Sequence, residues 1–273
     1  MLEKQTSNRA ADRRRSLDRG DFESDFPSRV SRLLASVDYR RADSRAQREA
    51  IGRLRDQAYR RESAISVDSP RMLIDGYDEA DNGYVFGLYV VGELASSLRL
   101  HVGSKAQLAF PSLEAFPEYL QPELDVGKVL VDTTCFVADE RLSRCHRDLP
   151  YVTLRLCILA AEYFEADQLL AAVSAEHQAF YRRAFGYEMV CEPRPYPQTP
   201  KLMSLMTVHF PSAAARLYQR YPFFCSSPSE RQKLFERQRV PTTTGQQAPV
   251  ARDQEARKDP TTDLLGSSAL AGS

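Results

Sequence analysis

The chain has 273 residues, 42% of them hydrophobic, with 13 Tyr, 13 Phe and no Trp, and its 37 Lys plus Arg balance 37 Asp plus Glu. That length suffices for a substantial core. A net charge of zero gives no global attraction to nucleic acid or to a membrane surface, so any electrostatic recognition is local. No stretch has the uninterrupted apolar length of a transmembrane segment, and no apolar region follows the charged N-terminus, so the default location is cytoplasmic. The five cysteines (Cys135, Cys145, Cys157, Cys191, Cys225) are odd in number and lack CxxC spacing or nearby paired His. This points to buried free thiols and away from a disulfide framework or a zinc site.

Residues 1–28 read as a disordered arm: up to Asp25 they are rich in Arg, Asp, Glu and Ser, with Phe22 the one aromatic residue. A single domain is expected over 29–238. It opens with Val30, Leu33, Leu34 and Val37, an apolar helical turn or a run leading into a strand near Val37 to Ala42. A helix follows from Ser44 or Arg45 to about Glu62, with Ser44 as N-cap and Ile51, Leu54, Arg55, Ala58 and Tyr59 on neighbouring faces. Ala64 to Gly83 is loop chemistry, rich in Asp and Gly. Tyr84 to Val91 and Glu93 to Val102 form a β-hairpin in which the period of two puts Arg99 on one face with Ala95, Ser97 and His101.

Three prolines restrict Leu108 to Leu124 to short helical pieces, with Ser112 a candidate cap. Gly127 to Val137, GKVLVDTTCFV, reads as a central strand buried on both sides and interrupted by one carboxylate, Asp132. A charge there needs a task, as an acid, base or orienting group, or a partner. Alternation places Asp132, Thr134 and Phe136 on one face and Cys135 on the other unless a bulge intervenes. A polar connection over Ala138 to Pro150 leads to an apolar helix from Tyr151 to Glu165. Leu169 to Ser174 is a short buried strand, and Ala175 to Phe185 a helix stopped by Gly186. Tyr187 to Glu192 and Leu202 to Phe210 are strands joined by the proline-rich PRPYPQTP. Short helices are expected over Ser212 to Tyr221 and Pro228 to Gln238, and 239–273 is a disordered tail. The fold class is α/β (α+β), a mixed, mostly antiparallel sheet flanked by helices on both faces.

This order, with FYRRAFGY closing a late helix, resembles the GNAT acyltransferases. A CoA-dependent member has a glycine-rich loop after its central strand to receive the pyrophosphate at a helix N-terminus, whereas ADERLSRCHRDLP here has no glycine. LRDQAY, DGYD, SLRL and DTTCF resemble the autoinducer-synthase branch. YDE, RLHV, LPYVTLRL, EHQAFYRRAFG and CEPRPYP resemble the long-chain N-acyl amino acid synthases (FeeM-like) more closely, over roughly Val37 to Phe235.

The resemblance implies transfer of a fatty acyl chain from acyl carrier protein to the amine of an amino acid, with no metal or cofactor and with acyl-CoA as a less favoured donor. It assigns Asp132 as base or amine-orienting group, Tyr181 as a donor of the thiolate's proton, and Arg55, Asp75, Asp78, Arg99, Thr134 and Phe136 to substrate binding. Arg99 is expected to pair with Asp132 or with Asp75 and Asp78. Asp75 and Asp78 as turn formers, Arg99 in a structural ion pair and Tyr181 in core packing are the alternatives. The arginines of the polar connection with Arg182 and Arg183 are candidates for a carrier-protein patch, or for solvated helix faces. His146 and His177 read as structural or solvent-facing. Cys135 stands where the family pattern has Arg, which opens a second reading: a catalytically impaired acyl- or carrier-protein-binding module. A CoA-dependent N-acetyltransferase and an acyl-homoserine-lactone synthase are further alternatives.

Overall fold

The computed structural model describes residues 26–62, 65, 72–197 and 199–237. The arm expected over 1–28 lies outside the described residues up to residue 25, as does the tail over 239–273. The domain begins earlier than expected, because one aromatic residue near the N-terminus has a place to go. The ring of Phe26 meets Tyr151 at 4.8 Å and Tyr221 and Phe223 at 6.0 Å, and Arg29 pairs with Asp148 at 3.0 Å. These contacts hold helix α1 (residues 26–34) against the core.

Strand β1 (Val37–Arg41) leads into α2 (Arg45–Arg61), whose N-terminus is closed by reciprocal bonds between Ser44 and Gln47. A 3-10 turn at Gly76–Glu79 precedes the hairpin of β2 (Gly83–Val90) and β3 (Glu93–Gly103). Val91 (φ 50°) and Gly92 (φ 85°) make the two-residue turn, both left-handed, in keeping with the twist of the strands. Then follow α3 (Pro111–Ala115), α4 (Pro117–Asp125), β4 (Leu130–Ala138), α5 (Glu140–Cys145), α6 (Leu149–Tyr163), β5 (Gln168–Val173) and α7 (Ala175–Phe185). Helix α7 ends on Gly186 at φ 77°. The chain closes with β6 (Glu188–Met189), β7 (Arg194–Tyr196), β8 (Thr199–His209), α8 (Phe210–Arg220) and α9 (Pro228–Phe235).

The sheet runs β1-β2-β3-β4-β5-β8-β6, with β7 on β8. Every pairing is antiparallel except β4 with β5, so the mixed, mostly antiparallel α/β sheet expected from the sequence is the one observed. Alternation along the central strands builds a core on each face. Leu130, Leu170 and Leu205 meet Phe110, Leu113 and Phe116, while Val131, Leu169 and Met206 meet α6. Helix α6 is apolar nearly all round and buried along most of its length. Each leucine fully buried in these layers contributes roughly 1.5–3 kcal/mol. No helix among the described residues is long and apolar enough to cross a membrane.

Two irregularities place the site. Between β3 and β4, Ser97 pairs with Val137 and Arg99 with Thr134, so a step of two residues on β3 faces a step of three on β4. The extra residue makes a bulge at Cys135, whose φ is 51°. Between β4 and β5, pairing runs from Leu130 with Gln168 to Thr133 with Ala171 and then ends. Beyond it β4 stays with β3 as far as Ala138, and β5 stays with β8 as far as Val173. The two central strands therefore part at Thr133.

Candidate active site

The parting of β4 and β5 opens a cleft of about 460 Å³. Residues 133–138 of β4 form one wall, and Ala172, Val173 and Ser174 at the end of β5 the other. His177, Phe180 and Tyr181 of α7 close one end, and Tyr59 of α2 with Tyr196 and Pro197 the opposite side. A cleft this size, apolar with a few polar groups, suits an elongated organic substrate.

Below the β3 side of the cleft lies a closed ionic network. Arg55 Nη1 reaches both carboxylate oxygens of Asp78, at 2.9 and 2.8 Å. Arg99 Nη1 contacts Asp75 at 2.5 Å and Asp78 at 3.1 Å, and its Nε donates to Thr134 Oγ1 at 3.0 Å. Asp75 caps the 3-10 turn through the Tyr77 amide, and Asp78 accepts from the Asp75 amide. So the turn-forming and ion-pairing alternatives for these carboxylates are both satisfied at once. Burial alone would raise the Asp78 carboxyl, but Arg55 and Arg99 outweigh it and hold the group below its ordinary value. The network brings together Arg55, Asp75, Asp78, Arg99 and Thr134, and of these Arg99 and Thr134 line the cleft. Arg55 keeps two buried donors, Nε and Nη2, without partners among the described residues. Beside it His101, bonded to the Tyr77 carbonyl, is pushed down to about 4 by burial and the Arg99 charge.

Asp132 is elsewhere. Its side chain is fully buried and makes no ion pair with Arg99; both oxygens are held by Ser112, Oδ1 by the hydroxyl at 2.7 Å and Oδ2 by the amide at 3.2 Å. Ser112 is thus no N-cap: α3 starts at Pro111, and Ser112 sits in its first turn with its hydroxyl turned to the sheet. With no ion pair to hold it, burial raises Asp132 to about 6, against the smaller lowering by the Ser112 bonds and the more distant Arg99 charge. Asp132 does not itself line the cleft.

The bulge changes the faces that strict alternation predicts. Thr133 and Phe136 point toward the α6 side, where Phe136 packs against the large core, while Thr134, Cys135 and Val137 lie toward α2. The grouping of Phe136 with Asp132 and Thr134 is therefore corrected: the left-handed backbone at Cys135 inserts a residue and reverses the alternation after it. Phe136 still lines the cleft, from the opposite side to Thr134. Tyr181 lines it too. Its phenol is raised above its ordinary value by burial, and its ring packs on Phe180 and Tyr187, so packing and cleft exposure coexist. His177 is exposed at the rim. Cys157 and Cys191 are the buried thiols; Cys145 and Cys225 are exposed and Cys135 is half-buried.

Sequence reasoning missed α5 and β7. Helix α5 replaces the expected polar loop, and α6 begins after Asp148 with Pro150 in its first turn. That terminus adds a carboxylate and loses one N–H. Strand β7 falls within PRPYPQTP and carries Tyr196, whose hydroxyl lies 3.5 Å from Ser112 Oγ. The aromatic residue amid prolines was the available signal, since such a segment is stiff and presents a large side chain.

Residues 50–209 match the family described as FeeM, N-acyl amino acid synthase. The solved structure of FeeM, an N-acyl amino acid synthase from uncultured soil microbes, is similar over 70% of this chain and 98% of that chain, with a TM-score of 0.56 and 16% identity. TofI, solved in a ternary complex with an inhibitor and MTA, gives a TM-score of 0.51 and 16% identity over 70% of this chain and 100% of that chain. The AHL synthase LasI gives 0.47 and 15%, over 63% and 88%. No curated protein matches. At such identities the structures speak to the fold alone, and the first two share its overall architecture with this chain.

Proposed function

This chain belongs to the FeeM family of N-acyl amino acid synthases and is an acyltransferase, and we propose that it joins a fatty acyl chain carried as a thioester on acyl carrier protein to the amine of an amino acid. The observation that carries this reading is the cleft between the parted strands, with an apolar wall for a chain and a carboxylate held near 6 just behind its floor. The amine nitrogen attacks the thioester carbon, the C–S bond breaks, and the nitrogen loses a proton. Asp132, largely ionised at neutral pH, is the final acceptor of that proton. Tyr181, held neutral, gives a proton to the departing thiolate.

Phe136 and Phe180 flank the path of the acyl chain. Arg99 and Thr134 meet the acceptor, and Arg55, Asp75 and Asp78 fix Arg99 in place. Carrier protein is favoured over CoA as donor by the N-terminus of α6. A proline in its first turn removes one N–H, and the Arg29–Asp148 pair occupies its cap position, which leaves a poor seat for a pyrophosphate. The exposed Arg141, Arg144 and Arg147, with Arg182 and Arg183, supply positive charge for an acidic carrier. The reaction needs no metal or further cofactor, because the thioester already activates the acyl group.

Incubation with acyl carrier protein thioesters of several lengths and a mixture of amino acids should yield N-acyl amino acids by mass spectrometry. Product from acyl-CoA alone would move the donor assignment. Carrier-protein binding without product, with activity gained in Cys135→Arg, would establish the impaired module that Cys135 suggests.

A further inference from the structure

Asp132 poses a geometric problem for the reaction proposed above. It is fully buried, lies outside the cleft lining and has both oxygens occupied by one residue. A base that touches no substrate needs an intermediary. Ser112 has one hydroxyl proton and gives it to Asp132 Oδ1 at 2.7 Å, which leaves its oxygen free to accept. The Tyr196 hydroxyl is 3.5 Å from that oxygen.

Tyr196 lines the cleft on the side where Ser112 and Asp132 lie behind it. Burial and the Asp132 charge raise its phenol, while the Arg99 guanidinium lowers it. Its ring is held against Phe116, centroids 6.1 Å apart. Tyr196 is half-buried, and a phenol set into a cleft wall ordinarily has a close hydrogen-bond partner. This one has a single long contact among the described residues, and a separation of 3.5 Å is beyond a good O–H···O bond. Catalytic bonds of this kind shorten when substrate binds.

We infer that Tyr196 meets the acceptor amine and passes its proton through Ser112 to Asp132, an assignment that rests on the amide-forming reaction proposed above. The steps balance. As nitrogen bonds to the acyl carbon, its proton moves to the Tyr196 oxygen, the phenol's proton moves to Ser112 Oγ, and the serine's proton moves to Asp132. Both hydroxyls end neutral and the carboxylate ends protonated. Product release, loss of that proton by the reverse path and return of a proton from solvent to Tyr181 restore the site. Tyr196 is then a catalytic residue, and Ser112 and Asp132 act through it.

The test compares wild type with Tyr196→Phe, Ser112→Ala and the double variant, each assayed for amide formation from an acyl carrier protein thioester and an amino acid. Tyr196→Phe removes one oxygen and keeps the ring on Phe116. It should lower kcat about 100-fold, leave KM for both substrates within about twofold, and leave the thermal midpoint in place. Ser112→Ala should lower kcat as much, and the double variant no further, because the two hydroxyls form one path. Wild-type kcat in Tyr196→Phe, or losses that multiply in the double variant, would overturn the relay while leaving the reaction standing. Absence of amide from the wild type would overturn the reaction and this inference together.

Discussion

The site contains two buried carboxylates, Asp78 and Asp132, whose surroundings hold them in opposite ways. Asp78 sits between two guanidiniums, every charge answered, and its carboxyl is held below the ordinary value. Asp132, on β4, is hydrogen-bonded only by a serine, and its carboxyl is raised to about 6. A paired charge resists protonation and fixes geometry; an unpaired one keeps a proton affinity near neutrality, which proton transfer requires. The contrast divides the polar residues of the site into those that build it and those that exchange protons.

Removing a member of the paired set should cost stability first. Asp78→Ala leaves Arg55 and Arg99 buried without their shared counterion, and a loss of about 3–5 kcal/mol is expected in urea unfolding. A loss under about 1 kcal/mol would mean the network is not needed for the fold. Asp132→Asn should do the reverse, lowering kcat about 100-fold, equivalent to about 2.7 kcal/mol, with an unchanged or raised thermal midpoint. The amide can still satisfy Ser112 by accepting from its N–H and donating to its hydroxyl.

The same pair predicts opposite pH dependences. Because Asp132 has a folded value raised to about 6, its contribution favours the folded state below the ordinary carboxylate range and is lost as pH rises through about 6, on the order of 3 kcal/mol in all. Asp78, with its value lowered, contributes above that range and loses its contribution as pH falls. Denaturation midpoints of wild type and Asp132→Asn should therefore diverge between pH 4 and pH 7, the variant gaining; parallel curves would contradict the unpaired state of Asp132. Tyr181→Phe should lower kcat by roughly tenfold, a smaller effect because a thiolate departs readily without help. Least of all, Arg141→Ala breaks an exposed pair with Glu93 and should change stability by less than about 0.5 kcal/mol. Any rise in KM for acyl carrier protein that fades in high salt would assign it to docking.

Much of this architecture is legible in the sequence because its signals are local. Helix α2 carries its cap at Ser44, the hairpin its turn at Gly92, and α7 its stop at Gly186. The resemblance carried by DGYD and SLRL left Arg99 two sets of partners, Asp132 or Asp75 with Asp78, and Arg99 takes the second. What stayed hidden depends on contacts across the fold. Whether Asp132 meets Arg99 or Ser112 is decided by how α3 lies on the sheet, and the reversal at Phe136 by one residue's left-handed backbone. Strand β7 was obscured by its prolines, which ordinary strands exclude. It tolerates them because it pairs with β8 alone, and a strand edge needs no donor on its open side.

Those prolines have a kinetic meaning. Pro193, Pro195 and Pro197 bracket Arg194 and Tyr196, fixing the backbone torsion at every second residue. The restriction is already present in the unfolded chain, so little entropy is lost when the segment folds. A tyrosine mounted this way has most of its search behind it before the acyl group arrives, and only the last shortening toward Ser112 is left to substrate binding. Loosening the mount with Pro197→Ala should leave every contact of the phenol available and still slow the reaction, by lowering the fraction of time the hydroxyl faces Ser112.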